Sequence, residues 1–101
     1  MITEVATIRV KPGVQATFEA AVGKAEAVFR RAPGCLGLVL TRCLEDPERY
    51  DLLIRWQTLE DHTVGFRGSP LFAEWRALVS GHFAEPPVVK HFANVFAPVE
   101  F

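Results

Sequence analysis

The sequence holds little of what would announce a function at once. It has 2 cysteines, 1 methionine and 1 tyrosine, and neither charge is in surplus: 11 Lys and Arg stand against 12 Asp and Glu, a formal net charge of −1. Without a positive excess there is no general attraction to nucleic acid or to anionic lipid, so neither is expected as a partner. Apolar runs are short, Leu38 to Leu40 being typical, whereas a membrane-spanning helix needs roughly 20 consecutive apolar residues. No span is expected. The start, Met1-Ile2-Thr3-Glu4-Val5, lacks the basic residues, apolar middle and small-residue cleavage site of a secretory signal, and the expected location is the cytoplasm.

Several chemical signatures are missing too. There is no Gly-rich phosphate loop, no Gly-x-Ser-x-Gly, no Cys-x-x-Cys and no His-Glu-x-x-His, the patterns of common nucleotide, hydrolase, redox and zinc sites. Cys35 and Cys43 fall in one expected strand, where a rise of about 3.3 Å per residue sets their Cα atoms on the order of 26 Å apart, far beyond disulfide reach. Reduced, packed thiols are the simplest reading. His62, His82 and His91 lack metal-site spacing, and neither a metal nor another cofactor is expected.

What is present is an ordinary globular composition, 50% hydrophobic and 23% charged over 101 residues, which fits one domain spanning the chain. Ile2, Glu4, Ala6, Ile8 and Val10 alternate with Thr3, Val5, Thr7 and Arg9, the period of a strand with one mostly apolar face. After Lys11-Pro12-Gly13, apolar residues at Val14, Phe18, Ala21, Val22, Ala25 and Phe29 form one helical stripe. Pro33-Gly34 stops that helix, and Cys35 to Cys43 read as a strand buried on both faces. The turn Glu45-Asp46-Pro47-Glu48 leads into a third strand, Tyr50 to Gln57. Thr58 and Asp61 resemble a capping box for a short helix through Phe66, and Ser69-Pro70 opens a helix to about Val79. Val88 to Ala97 alternate as a final strand.

The order β-α-β-β-α-β predicts an α+β, ferredoxin-like fold, an antiparallel sheet with both helices on one face. Apolar residues nevertheless lie on both sides of that sheet: Leu36, Leu38, Val39 and Leu40 in strand two, Leu52, Leu53 and Ile54 in strand three, Phe92 and Val95 in strand four. A bare apolar face of that size is unusual on a monomer, which predicts a homodimer joined through the sheet faces.

One stretch carries more information. Trp56 ends strand three, His62 follows six residues on, then come Ser69-Pro70-Leu71-Phe72 and a late Pro86-Pro87-Val88-Val89-Lys90-His91. With Lys11-Pro12-Gly13 before helix one and Pro33-Gly34 before strand two, this ordered set resembles the antibiotic biosynthesis monooxygenase domain, the dimeric α+β barrel, over nearly the whole chain. The family includes quinol and anthrone oxygenases and haem-degrading enzymes. For members that oxidise polycyclic phenols without a cofactor, the resemblance implies an asparagine in strand three, the tryptophan at its end and an arginine in the second helix. Trp56 and Arg76 match, while Leu52 stands in the asparagine's place. The haem-degrading pattern fails: Ala6 holds its strand-one asparagine position, Phe66 falls near its tryptophan, and Trp75 or Arg76 occupies its histidine.

Oxidation of a phenol or quinol by O₂ needs a dry pocket, a base and a fixed cation. Leu52, Phe66, Phe72 and Trp75 would bind the substrate, with Trp56 beside them. His62 is the candidate base, since imidazole titrates near neutrality, and Arg76 the cation that stabilises phenolate and reduced oxygen. Each has a plainer role open to it: Trp56 as core, Arg76 reaching from the helix edge to water, His62 as a solvated polar residue. Glu4 is either paired with a cation in the pocket or exposed at the strand's start, and His91 is read as a structural or interface histidine. The leading function is a cofactor-independent monooxygenase of a small aromatic, phenolic or quinol-like compound; the alternatives are a non-catalytic small-molecule binding or stress-associated protein, and an isomerase or lyase on the same scaffold.

Overall fold

A computed structural model describes residues 1–101. Strand β1 (Ile2–Arg9) leads to helix α1 (Gln15–Arg30), and strands β2 (Cys35–Arg42) and β3 (Arg49–Trp56) form a hairpin. A π-helical turn at Asp61–Phe66, helix α2 (Pro70–Val79), a short 3₁₀ turn at Ser80–His82 and strand β4 (Val88–Phe92) complete the chain's regular structure. The sheet has the order β2-β3-β1-β4 with every neighbouring pair antiparallel, the expected ferredoxin-like arrangement.

Alternation decides which face meets the helices. Glu4, Ala6 and Ile8 of β1 and Tyr50, Leu52, Ile54 and Trp56 of β3 are buried, and α1 lays Phe18, Ala21, Val22, Ala25, Val28 and Phe29 against them. Each fully buried large side chain contributes about 1.5–3 kcal/mol, so this shared layer is the main cohesive element of the fold.

The sequence between β3 and α2 folds as its caps dictate. Thr58 N–H donates to Asp61 Oδ2 and Asp61 N–H donates to Thr58 Oγ1, each at 3.1 Å, a reciprocal pair that satisfies two otherwise orphaned donors. The turn it opens is wound wide, with Arg67 N–H reaching back to the His62 carbonyl at 3.1 Å, and it buries His62 and Phe66. Ser69 then caps α2, its Oγ accepting from Leu71 N–H at 3.2 Å. Gly34 has φ +81°, and a Cβ on it would collide with the Asp61 carboxylate. Glycine is needed there for backbone conformation and for space alike.

Two expectations are corrected. Strand two is not buried on both faces: β2 is an edge strand whose Leu38 and Leu40 pack on the core, while Leu36 and Val39 stay about half exposed, at 48% and 52%. Both helices lie on one side, so only alternate residues are covered. Strand four ends at Phe92, not Ala97, because Phe92 already pairs with Thr3 and β1 begins at Ile2. The chain beyond has almost no neighbour left to pair with, and Val95 is 96% exposed. Cys35 and Cys43 are unpaired thiols, and no helix is long and apolar enough to cross a membrane.

Candidate active site

Between the helix-facing side of the sheet and α2 lies a cavity of about 270 Å³. Glu4, Ala6, Leu52 and Ile54 from β1 and β3 form its floor, Phe66, Phe72 and Trp75 its aromatic wall, and Arg67, Arg76 and the strap Pro86-Pro87 lie around its mouth. A wider groove of about 570 Å³ beside α1 and β2 has only Glu26 and Arg30 as charged lining, paired with one another, so it offers no free charge. The smaller cavity is where apolar walls and ionisable groups coincide, as small-molecule sites require.

The structure brings Leu52, Phe66, Phe72, Trp75, His62 and Arg76 together around this one space. Phe66 meets Phe72 edge to face, with centroids 5.8 Å apart at 84°, and the Arg76 guanidinium carbon lies 6.0 Å from the Phe72 ring centroid. Trp56 is placed differently: fully buried and outside the wall, it stands behind the cavity. Its indole stacks on His62, with centroids 5.2 Å apart at 25°, and its Nε1–H donates to Glu4 Oε1 at 3.0 Å.

That bond belongs to a buried polar chain. His62 Nε2 lies 3.3 Å from the same Glu4 oxygen, and His62 Nδ1 lies 2.8 Å from His91 Nε2. The antiparallel register sets Glu4 opposite His91 across β1 and β4, and the π-helical turn lowers His62 between them. With both rings neutral and Glu4 ionised, the arrangement that sets no lone pair against the carboxylate has His91 Nε2–H donating to His62 Nδ1 and the His62 proton on Nε2, beside Glu4. Both ring nitrogens of His62 are thus engaged within the protein. Glu4 Oε2 takes no protein partner, yet it is not a sealed, unpaired atom. It is the polar atom the chain leaves open to the cavity.

Burial disfavours charge throughout this chain. It pushes the Glu4 carboxyl above the usual carboxylate range, against the lowering effects of the Trp56 hydrogen bond and the Arg67 charge. His62 is pushed down to about 4, mainly by burial and further by the charges of Arg67 and His91. Burial, with Arg67, also lowers His91. The pocket therefore holds a weakened acid backed by neutral imidazoles.

His82 takes no part, its Nδ1 lying 3.1 Å from the Val79 carbonyl, and no group of three or more His, Cys, Asp or Glu side chains is placed to hold a metal ion. Sequence reasoning left Glu4 between two readings; it is 6% exposed and faces the pocket. Arg67 had no sequence signal at all.

Residues 1–78 match the sequence model of the family described as Antibiotic biosynthesis monooxygenase. The uncharacterized protein YczJ of Bacillus subtilis (strain 168) is 39% identical over 95 residues, covering 94% of this chain and 100% of its own length. A solved structure from Bordetella bronchiseptica, provisionally assigned as an antibiotic biosynthesis monooxygenase, superposes with a TM-score of 0.92 at 49% identity, covering 94% of this chain and 97% of that one. The ActVA-Orf6 monooxygenase of Streptomyces coelicolor, solved with nanaomycin D, shares the fold with a TM-score of 0.82 at 23% identity, covering 99% of this chain and 92% of that one.

Proposed function

The chain belongs to the antibiotic biosynthesis monooxygenase family, and we propose that its cavity oxidises a small phenolic or quinol-like aromatic with O₂, without metal or flavin. The observation that carries this reading is Glu4, a buried carboxylate with one oxygen open to an aromatic-walled cavity and two arginines at its mouth. His62, the base expected from sequence, has both ring nitrogens turned to Glu4 and His91. The base role therefore passes to Glu4, with His62 and Trp56 as positioning residues.

The chemistry balances with this chain's own residues and O₂. Glu4 Oε2 takes the hydroxyl proton, and the phenolate, stabilised by Arg76 beside the aromatic wall, passes one electron to O₂. The radical pair joins through a new C–O bond, Glu4 returns its proton to the distal oxygen, and loss of water together with the ring hydrogen leaves a carbonyl. A phenol and O₂ give a quinone and water. The test is oxygen consumption by metal-stripped protein with a panel of one- and two-ring hydroquinones, with one O₂ consumed per molecule oxidised as the expected result. Binding without consumption would select the non-catalytic reading, which Leu52 in place of the family's asparagine favours.

The same proposal includes a second copy on the open sheet face. Val39 and Phe92, 52% and 54% exposed, and Val88 at 56% lie on that face, together with Leu53 of β3. Covering them removes apolar surface that a monomer would leave in water. Sedimentation velocity at micromolar concentration is expected to give twice the 11.3 kDa chain mass, and the double variant V39D/F92D a monomer; a monomeric parent would end this part of the proposal.

A further inference from the structure

Most of the arginines in this protein are occupied. Of 8 in the chain, Arg9, Arg30, Arg31, Arg42 and Arg49 each meet a carboxylate, and Arg55 reaches the Leu36 carbonyl at 3.5 Å. Only the side chains of Arg67 and Arg76 have neither a close ion pair nor a hydrogen bond, and both line the cavity, where the Arg67 charge acts on Glu4 from a distance. They come from different elements, Arg67 from the end of the π-helical turn and Arg76 from α2. Acids near them in sequence are committed elsewhere: Asp61 accepts from Thr58 N–H, Glu74 pairs with Arg31, and Glu85 turns to Arg9.

We infer that Arg67 and Arg76 form an anion subsite at the cavity mouth, and that the ligand is a one- or two-ring aromatic carrying a permanent carboxylate. This inference rests on the proposed reading for the identity of the floor, where the ring's hydroxyl would face Glu4. Once Glu4 has taken the phenolic proton, it is neutral and the phenolate carries a single negative charge. One arginine balances it. The other remains uncompensated unless the ligand brings a second anionic group, and guanidinium holds a carboxylate in a paired, directional way that an ammonium does not. Size agrees. At about 270 Å³ the space lies just below the usual range of organic-ligand sites, roughly 300–1,000 Å³, so a bulky polycycle is disfavoured. The wall of Phe66, Phe72 and Trp75 supplies the aromatic contact.

The test separates this subsite from the oxidation, because it needs no turnover. Binding of 2-naphthoate and of its neutral counterpart 2-naphthalenemethanol is followed by tryptophan fluorescence, Trp75 being in the wall, and by calorimetry. The expected result is at least about tenfold tighter binding of the naphthoate at low salt, a preference that shrinks as salt screens the charges. R67Q and R76Q should each lose part of the preference, and R67Q/R76Q all of it, with affinity for the alcohol retained. Equal affinity for the two probes, no binding of naphthoate at millimolar concentration, or a preference that survives in the double variant would overturn the subsite. If the preference holds while no quinol consumes O₂, the oxidation falls and the subsite stands. If O₂ is consumed with the two probes at parity, the reverse follows.

Discussion

Replacing Glu4 with glutamine is expected to lower kcat for oxidation of a phenol by about 10²–10⁴-fold, the usual contribution of a positioned general base. The substitution isolates the proton-accepting role. A glutamine side-chain oxygen still accepts from Trp56 Nε1–H, which lies 3.0 Å from Glu4 Oε1, so the fold keeps its buried hydrogen bond while the base is lost. The pH profile supplies an independent readout. Burial raises the Glu4 carboxyl from its ordinary value of 4.5, and the base works only when ionised. Wild-type rate should therefore climb with pH through an inflection above the carboxylate range. In E4Q that inflection should vanish, and the remaining rate should rise only as the phenol ionises by itself in solution. A wild-type rate in E4Q across this range would remove Glu4 from the mechanism. Removing His91, which touches His62 at 2.8 Å but does not line the cavity, should have a smaller effect, because it acts through His62.

The largest structural effect is expected at Trp56. W56A removes a side chain with no exposed surface and should cost about 3–5 kcal/mol, the range for large-to-small aromatic changes in a core. Domains of this size have total stabilities of roughly 5–15 kcal/mol, so a substantial part would be gone, read as a lowered urea midpoint with little change in slope. W56F divides the effect. It keeps most of the apolar volume and the stacking on His62, yet withdraws the only donor hydrogen-bonded to Glu4. The expected loss is about 1–3 kcal/mol, the cost of leaving a buried polar group short of its partner. An equal loss in W56A and W56F would mean that packing contributes almost nothing, contrary to its full burial.

The same residue shows how far the sequence could be read. Its place at the end of β3 followed from alternation and from the turn chemistry around it, and these are local. Its side chain points to the core because period two puts Tyr50, Leu52, Ile54 and Trp56 on one face. Whether it met substrate or another side chain was not a local matter, since Glu4 lies 52 residues away in the chain.

The sequence by itself determined the elements, their order and the apolar faces they present, because hydrophobic periodicity and caps act over a few residues: Thr58 with Asp61, Ser69 with Pro70, the stripe from Phe18 to Phe29. Only the tertiary structure decided which polar groups meet. Glu4 faces His91 because β4 pairs antiparallel with β1 in one register, and His62 joins them because a wide helical turn sets it over both strands. Arg67 reaches the cavity by that turn as well. A register and a turn geometry are settled by packing summed over the whole molecule, and no single segment carries that sum.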